Sequence, residues 1–412
     1  MNNIYLENLD KKDISGKRVV MRVDFNEPIE NDTVVSSFRI ESAIPTIKFL
    51  IKNGTKEVVL IAHLGRPEGK KDEKLSLKPV AQKLKELLAQ NSKLKTQNYN
   101  SEIKTDKIKD FEAFEISENI KLLENIRFYP EEEKSDEIFS NKLSKLGNIF
   151  VFEAFGTINE NASSITGISK ILPTCLGLRV KREIDELNEI MTNHEKPFCV
   201  ILGGAKVKDK LPVIKNLVNR TEVFLIGGAI ANTFLAAKDK EIGKSFVEMD
   251  MLEEAMSTAN KVLASDRKDI FLPVDFVTSK DLQSPKGVGV KNRQTVVLDD
   301  YIVDIGPITI SMFVKQIASA GTIFWNGNMG ISEIKDFENG TKEIAHAIAS
   351  IDGKKVVAGG DTVAYLEKNN MLGKFDFVSV GGGATLAYLS GEKMPILEIL
   401  NKSQEIPNSK KQ

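Results

Sequence analysis

The chain has 412 residues, 41% of them hydrophobic and 28% charged, and this composition excludes a disordered protein. Its 57 Lys and Arg nearly balance its 58 Asp and Glu, so no global positive field recruits nucleic acid or anionic lipid. At roughly 150 residues per domain, the length predicts two or three domains.

Targeting signals and cysteines both favour a cytoplasmic protein. The first residues lack a basic segment followed by an apolar one, which predicts that no signal peptide is present. No run of about 18 uncharged apolar residues occurs, so a soluble protein is expected. Cys175 and Cys199 lie in apolar surroundings and are expected to be buried thiols in a reducing compartment. No Cys/His spacing typical of a metal site is present.

Short apolar runs rich in Val, Ile and Phe predict strands buried on both faces, as in a parallel sheet. In chain order these runs are 17–25, 57–65, 148–156, 196–204, 221–228, 268–276, 321–327, 354–360 and 375–383. Helical periods lie between them at 77–90, 209–219, 251–265 and 339–350. The alternation predicts βαβ units and therefore an α/β fold with doubly wound parallel sheets.

A charged amphipathic segment at 181–197 predicts a helix that connects two α/β domains. The predicted domains are residues 1–180 and 198–395, and residues 396–412 form a tail expected to return to the first domain. A helical connector predicts hinge-like relative motion. Residues 92–114 are unusually polar and are expected to form an exposed, weakly ordered excursion, and the chain is expected to fray beyond about residue 402.

Charged and polar residues follow the predicted strands of the first half. Because ligands bind outside the carboxyl ends of parallel strands, these side chains are expected to share one edge of the sheet. Arginine binds phosphate and carboxylate in a bidentate manner, so the set predicts a site for an anionic small molecule. Taken singly, each Arg is more simply a solvated surface residue, and His63 a hydrogen-bonded histidine at a strand end. The residues are Asp24, Asn26, Arg39, His63, Arg66 and Arg127.

Glycine-rich turns follow the predicted strands of the second half, and several open a helix. Unhindered backbone N–H groups at a helix N-terminus bind phosphate, although a single Gly-Gly turn more often only reverses the chain. Lys206 and Lys210 add positive charge, and Asp361 is suited to hold Mg²⁺ together with phosphate oxygens. The turns are 203–210, 225–234, 325–330, 358–362 and 380–385.

The sequence has no GxxxxGK[ST] motif, which excludes a Walker-A nucleotidase, and no GxGxxG followed by an acidic residue about 20 positions on, which disfavours a nicotinamide-dependent dehydrogenase. One domain for an anionic acceptor and one for a nucleotide is the plan of a small-molecule kinase.

From about residue 4 to 395 the sequence resembles the phosphoglycerate kinase family. The segments RVDFNEP, HLGRP, LLENIRFYPEEE, GGAKVKDK, WNGNMG with NGT, GGDT and GGGAT occur in the order and spacing of that family. The resemblance implies a two-domain phosphoglycerate kinase-like fold and a monomer. It also implies reversible phosphoryl transfer in glycolysis, from 1,3-bisphosphoglycerate to ADP, which gives 3-phosphoglycerate and MgATP. Domain closure would exclude water from the transferring group.

The resemblance also implies the site residues, position by position. Substrate-binding residues are Asp24, Phe25, Asn26, Arg39, His63, Leu64, Gly65, Arg66 and Arg127. Nucleotide-binding residues are Lys206, Lys210, Gly228, Asn326, Glu333, Gly359, Gly360, Asp361 and Thr362, with Asp361 also at Mg²⁺. Residues that stabilise the migrating phosphoryl group are Arg39, Lys206, Lys210, Gly382 and Gly383.

The chain departs from the family in the loop EAFGTINENASS at 153–164, where the family reads like DAFGTAHRAHAS. Asn159 and Glu160 replace a His-Arg pair, and Ala162 replaces a second His. Losing a charge-assisted hydrogen bond to the distal phosphate weakens acceptor binding by about 1.5–3 kcal/mol unless another group compensates. Milder departures in the nucleotide half are Ala229, Ile302, Asn328, Ala358 and Val380. The alternative function is a diverged nucleotide-binding paralogue with lost or altered acceptor specificity.

Overall fold

A computed structural model describes residues 4–90, 102–265 and 268–405 of the chain. Contacts divide the chain into two compact units: the first runs to Ile184 and includes the chain from Lys393 onward, and the second is Asp185–Glu392. The first crossing between the units lies inside a long helix, and the second lies in the loop before the last helix. Within the described ranges no helix is long and apolar enough to cross a membrane.

The first unit is built on a seven-stranded sheet with the order β5-β6-β7-β4-β1-β8-β9. Neighbours from β7 to β9 run parallel, whereas β5 and β6 are antiparallel additions at one edge. The strands of this sheet are β1 (Arg18–Val23), β4 (Glu57–Ile61), β5 (Lys104–Ile108), β6 (Phe111–Ser117), β7 (Ile120–Leu123), β8 (Ile149–Glu153) and β9 (Thr174–Leu176). A separate two-stranded sheet consists of β2 (Ile29–Glu30) and β3 (Thr33–Val34).

The prediction of a weakly ordered excursion at 92–114 is wrong for its second half, because β5 and most of β6 form there. Strand β5 is the edge of the sheet and carries exposed charged side chains, and this is how edge strands avoid pairing with other chains. Because of these charges, the sequence of β5 shows no apolar run that would predict a strand. Residues 91–101 lie outside the described part of the chain, as does the tail beyond residue 405.

The core of the first unit explains why its central strands read as continuous apolar runs. On one face of the sheet, Val19 and Met21 of β1 pack with Leu60 of β4 and with apolar residues of two helices, at 38–52 and 78–90. The intervening residue Val20 is also fully buried, so both faces are covered. The helices that begin in this unit are α1 (Lys11–Ile14), α2 (Phe38–Lys52), α3 (Lys78–Gln90), α4 (Glu137–Ser144) and α5 (Leu178–Thr192).

The second unit contains a six-stranded sheet with the order β12-β11-β10-β16-β17-β18, parallel throughout. Its strands are β10 (Phe198–Leu202), β11 (Val223–Ile226), β12 (Asp269–Phe271), β16 (Thr322–Asn326), β17 (Lys354–Ala358) and β18 (Phe377–Val378). A separate three-stranded sheet contains β13 (Asp275–Ser279), β14 (Gly289–Asn292) and β15 (Tyr301–Ile305). The predicted α/β fold with parallel sheets is confirmed in both units.

Helices alternate with these strands: α6 (Leu211–Leu217), α7 (Gly228–Ala236), α8 (Leu252–Leu263), α9 (Pro307–Ile317), α10 (Asn339–Ala349), α11 (Gly360–Lys368) and α12 (Gly383–Leu389). The last helix of the chain, α13 (Pro395–Glu405), belongs to the first unit and packs against residues 163–167.

The single strand predicted at 268–276 is wrong, because this run divides between two sheets. Pro273 separates β12, at the edge of the parallel sheet, from β13, the centre of an antiparallel sheet ordered β14-β13-β15. Proline has no N–H to donate to a ladder, so the run is interrupted there. The antiparallel sheet supplies Ile302 and Asp304 on β15, and both residues line a cavity described below.

The helix α5 begins at a buried carboxylate. Glu153, the last residue of β8, accepts hydrogen bonds from the backbone N–H groups of Arg179 (3.0 Å) and Val180 (3.2 Å), and from the hydroxyl of Thr46. Burial raises the pKa of Glu153 from its ordinary 4.5 to about 7, although these hydrogen bonds oppose the rise. The N-terminus of this helix is therefore held by a group that titrates near neutrality.

Three glycine turns of the second unit pack closely against one another through their backbones. Gly228 begins α7 with a φ of +58°, and a Cβ there would lie 2.5 Å from Gly204 N and 2.7 Å from Asn328 O. All of these neighbours are backbone atoms, which cannot swing aside. The turns after β10, β11 and β16 therefore require a residue without a side chain at position 228.

We expect Gly228→Ala to lower the free energy of unfolding of the second unit by about 2–4 kcal/mol, because the methyl group clashes with backbone and φ is left-handed. Urea unfolding followed by the fluorescence of Trp325, the chain's single Trp, measures it. Gly373→Ala is the control, since its Cβ meets no atom within 4 Å. Equal midpoints for the two variants would contradict the packing argument.

The pKa of Glu153 predicts a pH dependence of stability. Between about pH 4.5 and 7 the unfolded chain releases the Glu153 proton while the folded chain keeps it, so the free energy of unfolding falls as pH rises. The fall amounts to about 3 kcal/mol and is complete above pH 7. Glu153→Gln lacks this titration, so the difference in the free energy of unfolding between wild type and variant changes with pH. Urea unfolding followed by circular dichroism at pH 5 to 8 measures the free energy of unfolding of both proteins. Parallel plots of this free energy against pH would refute the prediction.

Candidate active site

The strand-end residues of the first unit are tied together through Asn26. Its side-chain oxygen accepts a hydrogen bond from Gly65 N (3.0 Å), and its backbone oxygen accepts one from Arg39 Nη1 (2.7 Å). Gly65 O in turn accepts from Arg127 Nη1 (3.0 Å). The structure therefore brings together residues that follow β1, β4 and β7, as their positions after parallel strands predict.

Arg39 reaches this cluster from a helix rather than from a strand end, which corrects the sequence interpretation. It is the second residue of α2, and its N–H donates to Glu27 Oε1 at 2.7 Å. Nη1 of Arg39 lies 3.7 Å from Asp24 Oδ1. Burial raises the pKa of Glu27 to about 7, opposed by the hydrogen bonds and charge of Arg39. Glu27, which the sequence analysis did not select, thus fixes the helix turn that carries Arg39.

His63 is buried and neutral. It is 4% exposed, and burial lowers its pKa well below the ordinary 6.5, helped by the charges of four surrounding guanidinium groups, those of Arg22, Arg127, Arg39 and Arg66. Nδ1 lies 3.0 Å from Arg22 Nη2 and must act as the acceptor, because a guanidinium only donates. The ring proton therefore resides on Nε2, so His63 can donate one hydrogen bond to an anion.

Arg22 is a site residue that sequence reasoning missed. It is 1% exposed within β1 and donates to Ser164 Oγ (3.0 Å) and to Val23 O (2.5 Å), besides contacting His63. Burial lowers its pKa, and the carboxylates of Glu132 and Glu160 counteract this. The available signal was an arginine within the otherwise apolar run 19–23 of β1.

The remaining predicted acceptor residues differ in exposure. Arg66 is exposed and makes no hydrogen bond or ion pair within the described ranges. Arg127 is 11% exposed and is paired with Glu160, since Nη2 lies 3.0 and 2.9 Å from the two carboxylate oxygens. Phe25 and Leu64 have side chains in the hydrophobic core, so only their backbone groups can face a ligand.

The glycine turns of the second unit enclose a cavity of about 310 Å³. Three predicted residues line it, namely Gly228, Glu333 and Asp361. Three of the departures noted in the sequence, Ala229, Ile302 and Asn328, also line it. The cavity is large enough for part of a nucleotide, and Ile302 reduces the space on its apolar side.

Lys210 is a largely buried cation beside the glycine turns of this cavity, and it has no ion-pair partner among the described residues. It is 8% exposed, and its ammonium group makes no hydrogen bond or ion pair with any residue that the structure describes. Nζ lies 3.7 Å from the position that a Cβ of Gly204 would take. Burial lowers the pKa of Lys210, and the charges of Asp209, Asp361 and Glu248 oppose this. A buried ammonium of this kind is stabilised by binding an anion.

The other predicted residues of the second unit fall into two groups. Lys206 is exposed, and the N–H groups of Gly382 and Gly383 at the start of α12 have no partner within the described residues. Thr362, in contrast, is fully buried, and its hydroxyl accepts a hydrogen bond from Gly327 N (2.9 Å), so its side chain holds the turn after β16.

Two more predicted positions lie beside that turn. Asn326 is 4% exposed, and a Cβ at Gly359, where φ is +104°, would lie 2.8 Å from its amide nitrogen. Gly359 must therefore be a glycine for the Asn326 side chain to keep its place. A Cβ at Gly360, the first residue of α11, would meet nothing within 4 Å, so its backbone N–H is open to a ligand.

Asp304 lines the cavity and was not selected from the sequence. It is 2% exposed and accepts hydrogen bonds from the backbone N–H groups of Gly340 (2.6 Å) and Ile305 (2.8 Å). Burial raises its pKa from 3.8 to about 7. Nothing in the strand YIVDI distinguishes this aspartate from a surface residue, so the sequence offered no signal.

Comparison with known proteins gives one consistent result. A family model described as phosphoglycerate kinase matches residues 9–392. A curated protein from Finegoldia magna named phosphoglycerate kinase is 40% identical over 407 residues, which cover 98% of this chain and 100% of that protein. One of the same name from Dictyoglomus turgidum is 43% identical over 394 residues, covering 95% and 97%.

Solved structures agree with these relatives. The phosphoglycerate kinase structure from Coxiella burnetii matches with a TM-score of 0.78 and 33% identity, covering 97% of this chain and 99% of that one. The structure from Pyrococcus horikoshii matches with a TM-score of 0.79 and 30% identity, covering 98% and 99%. Nothing in the comparisons favours a paralogue that has lost its acceptor. The chain therefore belongs to the phosphoglycerate kinase family.

Proposed function

We propose that the strand-end cluster of the first unit binds 3-phosphoglycerate and 1,3-bisphosphoglycerate, and that the glycine-lined cavity of the second unit binds ADP and ATP. The chain is a transferase and a kinase of glycolysis, as its family membership establishes. Its reaction is the reversible transfer of a phosphoryl group from 1,3-bisphosphoglycerate to ADP, which gives 3-phosphoglycerate and ATP.

The single observation that supports these sites most directly is the unpaired ammonium group of Lys210. A buried charge without a partner is costly unless a ligand supplies one, and the glycine turns leave room for phosphate oxygens beside it. Lys206, four residues earlier on the same loop, is exposed and can add a second positive charge. The pair suits the terminal phosphate of a nucleotide.

In the first unit, each proposed role follows from the state of the side chain. Asp24 and Asn26 would hold the hydroxyl and carboxylate region of the glycerate. Arg66 and Arg127 would bind its distal phosphate, and His63 would donate its Nε2–H there as a neutral group. The backbone of Phe25, Leu64 and Gly65 completes this proposed site.

In the second unit, the glycine turns would carry the phosphate chain. The proposed ligands are the backbone of Gly228, Gly359 and Gly360 and the side-chain amide of Asn326, positioned by the hydroxyl of Thr362. Glu333, at the cavity wall, would bind the ribose hydroxyls.

No covalent nucleophile is required for this reaction. The transferring group is metaphosphate-like, and catalysis consists of positioning it and stabilising its charge. In the first unit Arg39 would supply that charge, held by Glu27 and Asn26. In the second unit Lys206, Lys210 and the amides of Gly382 and Gly383 would do so.

Magnesium is part of the proposal, and the donor set fits it. Asp361 is exposed in the first turn of α11, and no group of three His, Cys, Asp or Glu residues in the described ranges is placed to hold a metal ion alone. One carboxylate suits Mg²⁺, which keeps several waters and is bound largely through nucleotide phosphates. When bound, the ion would neutralise phosphate charge. Hinge bending, a monomeric state and a cytoplasmic location also stay proposals.

We expect Lys206→Ala to lower kcat about 10²–10³-fold, because it removes a charge that stabilises the migrating phosphoryl group. The assay uses purified protein, MgATP and 3-phosphoglycerate, with glyceraldehyde-3-phosphate dehydrogenase reporting the loss of NADH. Lys208→Ala is the matched control, because Lys208 is exposed on the same loop and has no proposed role.

Wild-type turnover that survives in the Lys208 variant and is lost in the Lys206 variant would also exclude a contaminating host enzyme. Equal activity of the two variants would remove Lys206 from the proposed site. No wild-type turnover at saturating substrates would overturn the proposed assignment of acceptor and nucleotide sites.

A further inference from the structure

The environment of Arg127 differs from that of the other arginines in the first unit. Its Nη2 donates to both carboxylate oxygens of Glu160, at 3.0 and 2.9 Å. Its Nη1 donates to Gly65 O, and its Nε lies 3.5 Å from an oxygen of Glu133. Every nitrogen of this guanidinium therefore faces an acceptor in the protein, whereas Arg66 has none within the described ranges.

Glu160 already fills the place that an oxyanion would take. A carboxylate and a phosphate group bind a guanidinium with the same geometry, through oxygens placed on its N–H groups. The Arg127 side chain is only 11% exposed, so little of its surface is left for a second anion. A phosphate can reach Nη2 only if the Glu160 carboxylate leaves it.

The loop presents Glu160 in a defined position. Its N–H donates to Thr157 O at 3.0 Å, which closes the turn after the short helix Phe155–Thr157. Two residues further, Ala162 is buried, and Ser163 N donates to Glu132 O at 2.9 Å. The backbone is thus fixed on both sides of Glu160. The side chain itself is 38% exposed and can move into water without being buried elsewhere.

We infer that Glu160 determines the affinity for the acceptor by acting as an internal counter-ion of Arg127, which the phosphate of the acceptor must displace. This inference rests on the proposed function, because it takes Arg127 as a ligand of that phosphate. Binding is then an exchange of one anion for another at Arg127. The favourable binding free energy at Arg127 is therefore only the difference between its pairing with phosphate and its pairing with Glu160. The displaced carboxylate stays close by and repels the phosphate, which carries nearly two negative charges.

The test is the dissociation constant for 3-phosphoglycerate, measured by calorimetry on the full chain without nucleotide. Glu160→Gln removes the charge and keeps the shape, so we expect binding about tenfold tighter, a factor of the size associated with one charge-assisted hydrogen bond. In the coupled assay the KM for 3-phosphoglycerate falls by the same factor, while kcat and the KM for MgATP stay within about twofold.

Glu118→Gln is the matched control. Glu118 is an exposed glutamate in the turn before β7, at the opposite end of that strand from Arg127, and its loss changes the net charge equally. We expect its dissociation constant to equal that of the wild type. Glu160→Ala is the second charge-removing variant, and it decides the question if the glutamine variant folds poorly.

The outcomes separate this inference from the proposed function. Tighter binding in both Glu160 variants supports the inference whether or not the protein turns over substrate. Equal or weaker binding than wild type, or binding by none of the proteins, overturns it. Equal tightening in the Glu118 variant also overturns it, because the effect would then come from net charge alone. Wild-type turnover together with unchanged binding in the Glu160 variants would leave the proposed function standing without it.

Discussion

The first unit depends on one buried charge, the guanidinium group of Arg22. It lies within a strand covered on both faces, where an unpaired charge would cost several kcal/mol. Its partners come from separate segments: the backbone at the end of β1, His63 after β4, and Ser164, which itself contacts Glu132. Satisfying one buried charge thus fixes the strand end, the histidine and the substituted loop relative to one another.

The second unit depends instead on glycines, whose lack of a side chain lets backbone segments pack closely. At Gly228 and Gly359 the backbone or a buried amide occupies the place of a Cβ, so the turns after parallel strands approach closely. The ammonium group of Lys210 lies beside Gly204, in the turn that Gly228 contacts, and forms no ion pair among the described residues. Close backbone packing forms a cavity at these turns, and we propose that the nearby ammonium group of Lys210 attracts an anion to it.

The sequence predicted the parts of the fold that follow from burial and missed those that follow from local exceptions. Central strands were visible because both of their faces are covered, whereas β5 was hidden by the charges that an edge strand carries. Arg39 was assigned to a strand end, although α2 carries it. Glu27 and Asp304 were missed because a buried carboxylate held by backbone N–H groups looks, in sequence, like any surface acid. The Glu160 substitution was visible, but its pairing with Arg127 depends on a loop geometry that spacing does not reveal.

The two proposed sites would therefore bind anions under different electrostatic conditions. At Lys210 a bound anion would give the ammonium group a direct partner, which it lacks among the described residues. At Arg127 a ligand must first replace the carboxylate of Glu160, so the net gain in pairing is small. At Arg127 the pairing with Glu160 already offsets the free-energy cost of removing the guanidinium from water. At Lys210 the corresponding cost would be offset only when an anion binds. Glu160 thus sets how strongly the proposed acceptor competes for Arg127.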